Sequence, residues 1–144
     1  MLHDAVKDPA SRSPAELRAA YAARLREAVE AVGVEEAATA SGVDETTVAA
    51  LAAGESPELT VEEAAALLAA GGDGVDDADV ILAELRDHLL LGMTTGVLDV
   101  DTVASNVDLD LSGQEIQQVL EGRVPMTLAE LAAIQQFIAE RNER

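Results

Sequence analysis

One phrase occurs twice in this chain, and it constrains the fold more than any other feature. Residues 49–65 read AALAAGESPELTVEEAA, and residues 117–133 read QQVLEGRVPMTLAELAA. In each copy a glycine suits the end of one helix, a proline prevents that helix from continuing, and a Thr-x-x-Glu box starts the next. The repeat predicts a duplicated helical unit, although two unrelated joints of the same kind would give a similar pattern. The matched pairs are Gly54 with Gly122, Pro57 with Pro125, Thr60 with Thr127 and Glu63 with Glu130.

The other local signals are also helical. Ser13, Pro14 and Glu16 form a capping box with proline at the first helical position, and Ser112 with Glu115 repeats the box. No alternating run of β-branched residues predicts a strand. Further candidate caps are Asp44, Asp99 and either Asp76 or Asp77. We expect an all-α fold with helices near 14–32, 34–41, 44–53, 61–70, 77–93, 100–107, 113–121 and 128–141.

These helices predict two related helix-turn-helix-like four-helix units around a long central helix. The long helix, 77–93, is apolar over a wide arc, which indicates burial against both units. The predicted organisation is an N-terminal tail (1–12), a first unit (13–71), an acidic Gly-rich linker (72–76) and a second unit (77–144).

The composition limits the class of protein. The chain has 28 acidic residues against nine basic ones, a net charge of −19, and 49% hydrophobic but only 1% aromatic residues. It resembles a protein of a salt-loving organism, because concentrated salt strengthens apolar burial and screens carboxylate repulsion. An acidic adaptor from an ordinary organism is the alternative. Since the sequence has no cysteine, no apolar leader and no run of membrane-spanning length, we expect a soluble, cytoplasmic protein.

The first copy carries a recognisable pattern. Ala38 lies in a short helix, Gly42 begins a turn, and Gly54 and Pro57 follow a second short helix. In this respect residues 34–70 resemble the phage-repressor-like (Xre/Cro-type) helix-turn-helix family, and residues 100–138 resemble it more loosely. The whole chain also resembles an uncharacterised haloarchaeal family, which implies no activity. The helix-turn-helix resemblance implies a recognition helix that lies in the major groove of DNA.

The first candidate recognition helix lacks side chains that bind bases. Its early positions, 44–47, read DETT, so they supply no Arg, Lys, Asn or Gln, and two carboxylates would face phosphate. Small side chains follow, and they permit close approach of another helix. The candidate surface for a partner protein is therefore Ala49, Ala50 and Ala53.

The second candidate recognition helix has suitable chemistry but a different turn. Gln114, Gln117 and Gln118 face away from its apolar side, and Arg123 follows; glutamine can bind adenine through two hydrogen bonds. The preceding turn, NVDLDL, is two residues longer than in the first copy, and Glu115 and Glu121 oppose a phosphate backbone. The alternative is that these glutamines form a solvated helix face.

No motif predicts catalysis or metal binding. His3 and His88 lack ligand spacing, and His88 is interpreted as a partly buried structural side chain. The acidic segment resembles a calcium loop, but Val75 and Ala78 replace residues that such a loop requires, so we interpret it as a linker. Its candidate ligands would be Asp73, Asp77, Asp79 and Glu84. We expect no enzyme, no cofactor, no metal site and no small-molecule substrate.

Two functions remain. The one we favour is a non-enzymatic regulatory or adaptor protein of a halophile that binds a protein partner or itself. The alternative is a DNA-binding transcription regulator that reads DNA through the 112–123 helix.

Overall fold

The computed structural model describes residues 2–71 and 77–143, and this part of the chain contains helices and no strand. The all-α prediction is confirmed, and each helix begins and ends within two residues of its predicted bounds. The predicted linker, 72–76, lies outside the described residues. The helices are α1 (Pro14–Val32), α2 (Val34–Ser41), α3 (Glu45–Ala52), α4 (Val61–Gly71), α5 (Ala78–Thr95), α6 (Val100–Asn106), α7 (Gly113–Glu121) and α8 (Leu128–Asn142), preceded by a 3-10 helix at Pro9–Ser11.

The predicted caps explain where most helices begin. At α1, α7 and α8 a Ser or Thr side chain accepts the N–H of a glutamate three residues on, and that glutamate accepts the cap N–H in return. Thr60 and Glu63 make the same pair of bonds before α4. Asp77 and Asp99 cap α5 and α6. Asp44 precedes α3 but makes no side-chain cap bond, and nothing in the structure explains why.

The repeated phrase joins the two units to each other. Thr60 lies opposite Thr127 in an antiparallel bridge. The N–H of Val61 donates to the carbonyl of Met126 at 2.7 Å, and the N–H of Leu128 donates to the carbonyl of Leu59 at 2.9 Å. Because each bond is the counterpart of the other, a local two-fold axis relates the two copies at this point.

Burial follows the same duplication. α1 packs against α4 and α8, and α5 packs against α8 and α4. Equivalent core positions are buried in both units, which supports a duplicated unit with a shared core. These pairs are Leu17 with Ile81, Tyr21 with Leu85, Leu25 with Leu89, Val29 with Met93, Val48 with Ile116, Leu51 with Val119 and Leu67 with Ile134.

The long helix α5 contacts both units, as predicted, but its apolar arc is not fully covered. It packs against α4 on one side and against α7 and α8 on the other. Leu90 is 45% exposed and Leu91 is 66% exposed. The expected burial therefore holds for one face of α5 and is wrong for these two leucines, which point away from the neighbouring helices.

The segment predicted as an N-terminal tail lies against the helical body. Leu2 is only 1% exposed, and the 3-10 helix at Pro9–Ser11 packs against α8. Arg24 of α1 donates to Asp4 at 3.1 Å. We call residues 2–12 the N-terminal strap.

Candidate functional site

The glutamines of α7 share one exposed face, as the helical period requires. Gln114 and Gln117 are exposed, and Gln118 is half-buried. Glu121 lies on the same face, and Gln117 donates to its Oε1 at 2.8 Å. The Nε of Arg123 lies 3.1 Å from Oε2 of the same carboxylate.

This geometry weakens the α7 face as a DNA-reading surface. Glu121 binds one of the candidate glutamines and the candidate arginine, so both donors are already engaged. A phosphate backbone that approached this face would also meet the carboxylate. The ion pair is exposed, and pairs of this kind contribute at most about 1 kcal/mol, so the arrangement opposes DNA without excluding it.

The alanine surface of α3 is present in part. Ala49 and Ala53 are exposed, whereas Ala50 is half-buried. Val48 and Leu51 point into the core on the opposite side. This face offers small side chains and no side-chain donor beyond Thr46 and Thr47, so it suits close packing and does not suit base recognition.

A groove in the second unit was not predicted. It has a volume of about 510 Å³ and lies between α8 and the turn that joins α6 to α7. Its α8 side is lined by Ala129, Ala133 and Phe137, which are spaced four residues apart and therefore form one stripe. Its other side is formed by Val107, Asp108 and Leu109.

The groove follows from the longer turn of the second unit. In the first unit three residues (42–44) join α2 to α3, with Gly42 at a φ of 77°, and α2 packs against α1 and α4. In the second unit six residues (107–112) make the same connection, which is three more than in the first unit and not the predicted two, because α6 also ends one residue earlier than the equivalent α2. Val107, Leu109 and Leu111 are half-buried and alternate with exposed Asp108 and Asp110, so this turn forms a wall beside α8.

Polar groups lie along the rim of the groove. The guanidinium of Arg141 lies 5.1 Å from the ring centre of Phe137, a cation–π distance. Gln136 donates to Glu140 at 3.0 Å. A second depression of about 360 Å³ shares Pro14 and Ala129 with the groove, so the concave surface extends towards α1.

A buried polar chain crosses the core beneath the N-terminal strap. The hydroxyl of Tyr21 donates to Oε1 of Gln135, and Nε2 of Gln135 donates to the carbonyl of His3 at 2.7 Å. Gln135 is 3% exposed. Burial raises the pKa of Tyr21, so this hydroxyl remains a donor at neutral pH. The sequence contained one indication of these buried hydrogen bonds, because Gln135 occupies a position where the first copy has Leu68.

The two histidines, far apart in the sequence, are in contact. The rings of His3 and His88 stack with their centres 4.5 Å apart and their planes 28° apart. Burial lowers the pKa of both imidazoles, and the nearby carboxylate of Asp4 partly opposes this shift. Burial would raise the pKa of Asp4, but its hydrogen bond with Arg24 keeps that pKa below the ordinary value. Nothing in the spacing of the histidines indicated this contact. His3 is half-buried, but His88 as a whole residue is exposed, so the interpretation of His88 as partly buried is wrong.

No metal centre is visible within 2–71 and 77–143, where no three His, Asp or Glu side chains converge to hold an ion. Of the calcium-loop residues, Asp73 and Val75 lie outside the described residues. Asp77 is engaged as the cap of α5, where it accepts the N–H of Val80 at 3.0 Å.

No helix in the described part of the chain has the length and apolar character needed to cross a membrane. Comparison with curated proteins and with solved structures gave no match. Residues 17–141, which include all eight α-helices except the first turn of α1 and the last residue of α8, match a family whose function is unknown. The chain therefore belongs to the family of unknown function DUF5791.

Proposed function

We propose that this chain is a non-enzymatic regulatory or adaptor protein of a halophile that binds a segment of a partner protein. The observation that carries the proposal is the groove between α8 and the 107–112 turn. In the first unit a shorter turn joins α2 to α3 and α2 packs against α4, so the two copies of one scaffold differ beside this groove. Function depends on such local sites and not on the shared fold.

The shape and lining of the groove favour a polypeptide segment. Its volume of about 510 Å³ lies within the usual range of ligand sites. The stripe of Ala129, Ala133 and Phe137 runs along a helix, and small residues there would let a partner helix approach closely. Arg141 and Glu140 at the rim would fix its orientation through charges.

The test is recovery of partners in molar KCl with three matched baits. Ala133→Phe fills the groove, and Ala53→Phe makes the same change on the exposed face of α3. We expect wild type and Ala53→Phe to retain the same partner, and Ala133→Phe to retain at least about tenfold less, which corresponds to the loss of about 1.4 kcal/mol. Circular dichroism would establish that all three baits are folded.

Other outcomes would contradict the proposal in distinct ways. Loss of the partner only in Ala53→Phe would place the interface on α3, at Ala49, Ala50 and Ala53. If both variants still bind the partner, neither the groove nor the α3 surface is the binding site. A protein that is monomeric by light scattering and recovers no partner from native lysate would contradict the adaptor function itself.

The alternative function is a transcription regulator that reads DNA through α7. The exposure of Gln114 and Gln117 favours it, and the carboxylate of Glu121 between the candidate donors opposes it. We expect gel-shift selection on random duplexes in high salt to enrich no site. If a site is enriched, Gln114→Ala should relax its specificity by about 1–3 kcal/mol, and the adaptor proposal would give way to DNA binding.

A further inference from the structure

The N-terminal strap covers a cleft between α5 and α8 of the second unit. In the first unit α4 approaches α1 so closely that a Cβ on Gly71 would lie 2.6 Å from Cα of Ala28. The equivalent residues of the second unit are Ile138 on α8 and Gly92 on α5. There the glycine is on α5 and the larger side chain is on α8, and a Cβ on Gly92 would lie 2.6 Å from Cγ2 of Ile138.

A cavity of about 140 Å³ lies between α5, α8 and the strap. It is lined on the helices by Leu89, Gly92 and Ile138 and on the strap by Pro9. The strap thus acts as an internal ligand of the α5–α8 cleft, with Leu2 fully buried at its start.

One contact of the strap depends on uncharged imidazole, because the ring of His3 stacks on His88 of α5. The backbone carbonyl of His3 also accepts from Gln135 of α8, and this bond holds His3 in place beside the stack. A proton on each ring would place two positive charges about 4.5 Å apart in a partly desolvated site.

The charged and titratable groups around this pair come from three sides. Asp4 of the strap lies nearby and is held by Arg24 of α1. Tyr21 reaches the site only through Gln135. From α8 the lining side chains are the neutral Gln135 and Asn142. The carboxylate of Asp4 is thus already paired with Arg24. It therefore only partly offsets the repulsion between two protonated imidazoles.

We propose that the N-terminal strap is a pH-released cover, which protonation of the His3–His88 pair detaches to open the α5–α8 cleft. The pair is well suited to this role, because the chain has only these two histidines and no cysteine. The other types of titratable side chain in the sequence have reference pKa values outside the range from about 5 to 8. Stability that depends on neutral histidine is fully present above the ordinary pKa of about 6.5 and is lost as the pH falls through the lower pKa of the folded protein.

The chain provides a direct reporter of this release. Lys7 is its only lysine and lies in the strap, so a lysine-specific protease cuts at one position. A protease needs an extended segment around the cleaved bond, and the bound strap does not offer one. The cleavage rate, divided by that of an unstructured peptide with the same sequence, should rise at least about fivefold between about pH 7.5 and about pH 5.5 in molar KCl.

Two variants separate histidine protonation from general acid effects. His88→Phe and His3→Phe each keep an aromatic ring in the stack but remove one titrating group. In each variant we expect the normalised rate to change by less than about twofold over the same pH range. Residue 3 lies outside every described α-helix, so His3→Phe is the less disruptive substitution. It therefore remains informative if His88→Phe fails to fold.

Histidine NMR titrations give a second measurement. Both histidines should titrate below about 6.5 in wild type, and the remaining one should move towards that value in each variant. A normalised cleavage rate that is independent of pH in wild type would overturn the proposal. Retention of the full pH dependence in both folded variants would overturn it equally.

Discussion

Gly71→Ala should lower the free energy of unfolding by about 2 kcal/mol, although alanine is the better helix former. The added Cβ would lie 2.6 Å from Cα of Ala28 and closer still to its carbonyl oxygen. These are backbone atoms of α1, so the clash can be relieved only if α1 and α4 separate. That separation would loosen the contact between α1 and α4 along its length, where Leu25 and Leu67 are fully buried.

Gly92→Ala, its counterpart in the second unit, is the matched control. Here the added Cβ would meet Cγ2 of Ile138, a methyl group and not backbone, so a shift of that one side chain, whose χ1 is stiff in a helix, relieves the contact without separation of the helices. The helix preference for alanine, about 1 kcal/mol, offsets that cost, so the stability should stay within about 1 kcal/mol of wild type. Denaturant unfolding in molar KCl, followed by circular dichroism, measures both values.

Second-site changes distinguish the two kinds of contact. Ala28→Gly should not rescue Gly71→Ala, because the clash involves the backbone of residue 28 rather than its methyl group. Ile138→Ala removes Cγ2 itself, so in that background Gly92→Ala should carry little further cost. Equal destabilisation by both glycine substitutions would contradict the asymmetry between the two units.

The fold was predictable wherever it depends on local chemistry. Capping boxes such as Ser112 with Glu115 fix where helices begin, and a glycine such as Gly122, at a φ of 79°, fixes where one ends. Because these signals lie within a few residues of each other, the sequence alone places every described α-helix, although it missed the 3-10 helix at Pro9–Ser11. The repeat also predicted two related units, and the bridge between Thr60 and Thr127 now shows how the repeated phrases meet.

The candidate sites were less predictable because they depend on contacts between distant segments. His3 and His88 meet only because the strap folds back onto α5. The groove depends on where the longer turn lies relative to α8, which a residue count does not specify. The exposure of Leu91 has the same cause, since an apolar side chain is buried only if a neighbour covers that face of the helix.

Substitution of the buried Tyr21–Gln135 pair should show strong coupling. Tyr21→Phe removes the donor to Oε1 of Gln135 and should cost about 2 kcal/mol, because the buried amide oxygen is left unsatisfied. Gln135→Leu removes the acceptor of the Tyr21 hydroxyl and the donor to the carbonyl of His3, and should cost about 2 kcal/mol as well. The double variant should also cost only about 2 kcal/mol, rather than the sum of the single effects.

The reason for this non-additivity is visible at the equivalent pair of positions between α4 and α5. The positions equivalent to Tyr21 and Gln135 are Leu85 and Leu68, and both are buried without any polar partner. The double variant therefore places two apolar side chains where the equivalent positions already have them. Its remaining loss of stability comes from the carbonyl of His3, which no longer accepts a hydrogen bond from residue 135, and from the weaker attachment of the strap. Denaturant unfolding at neutral pH in molar KCl would measure the cycle, with circular dichroism as the signal. Additive costs would mean that the hydroxyl of Tyr21 and the amide of Gln135 are not coupled. The interpretation that their hydrogen bonds anchor the strap to the core would then be wrong.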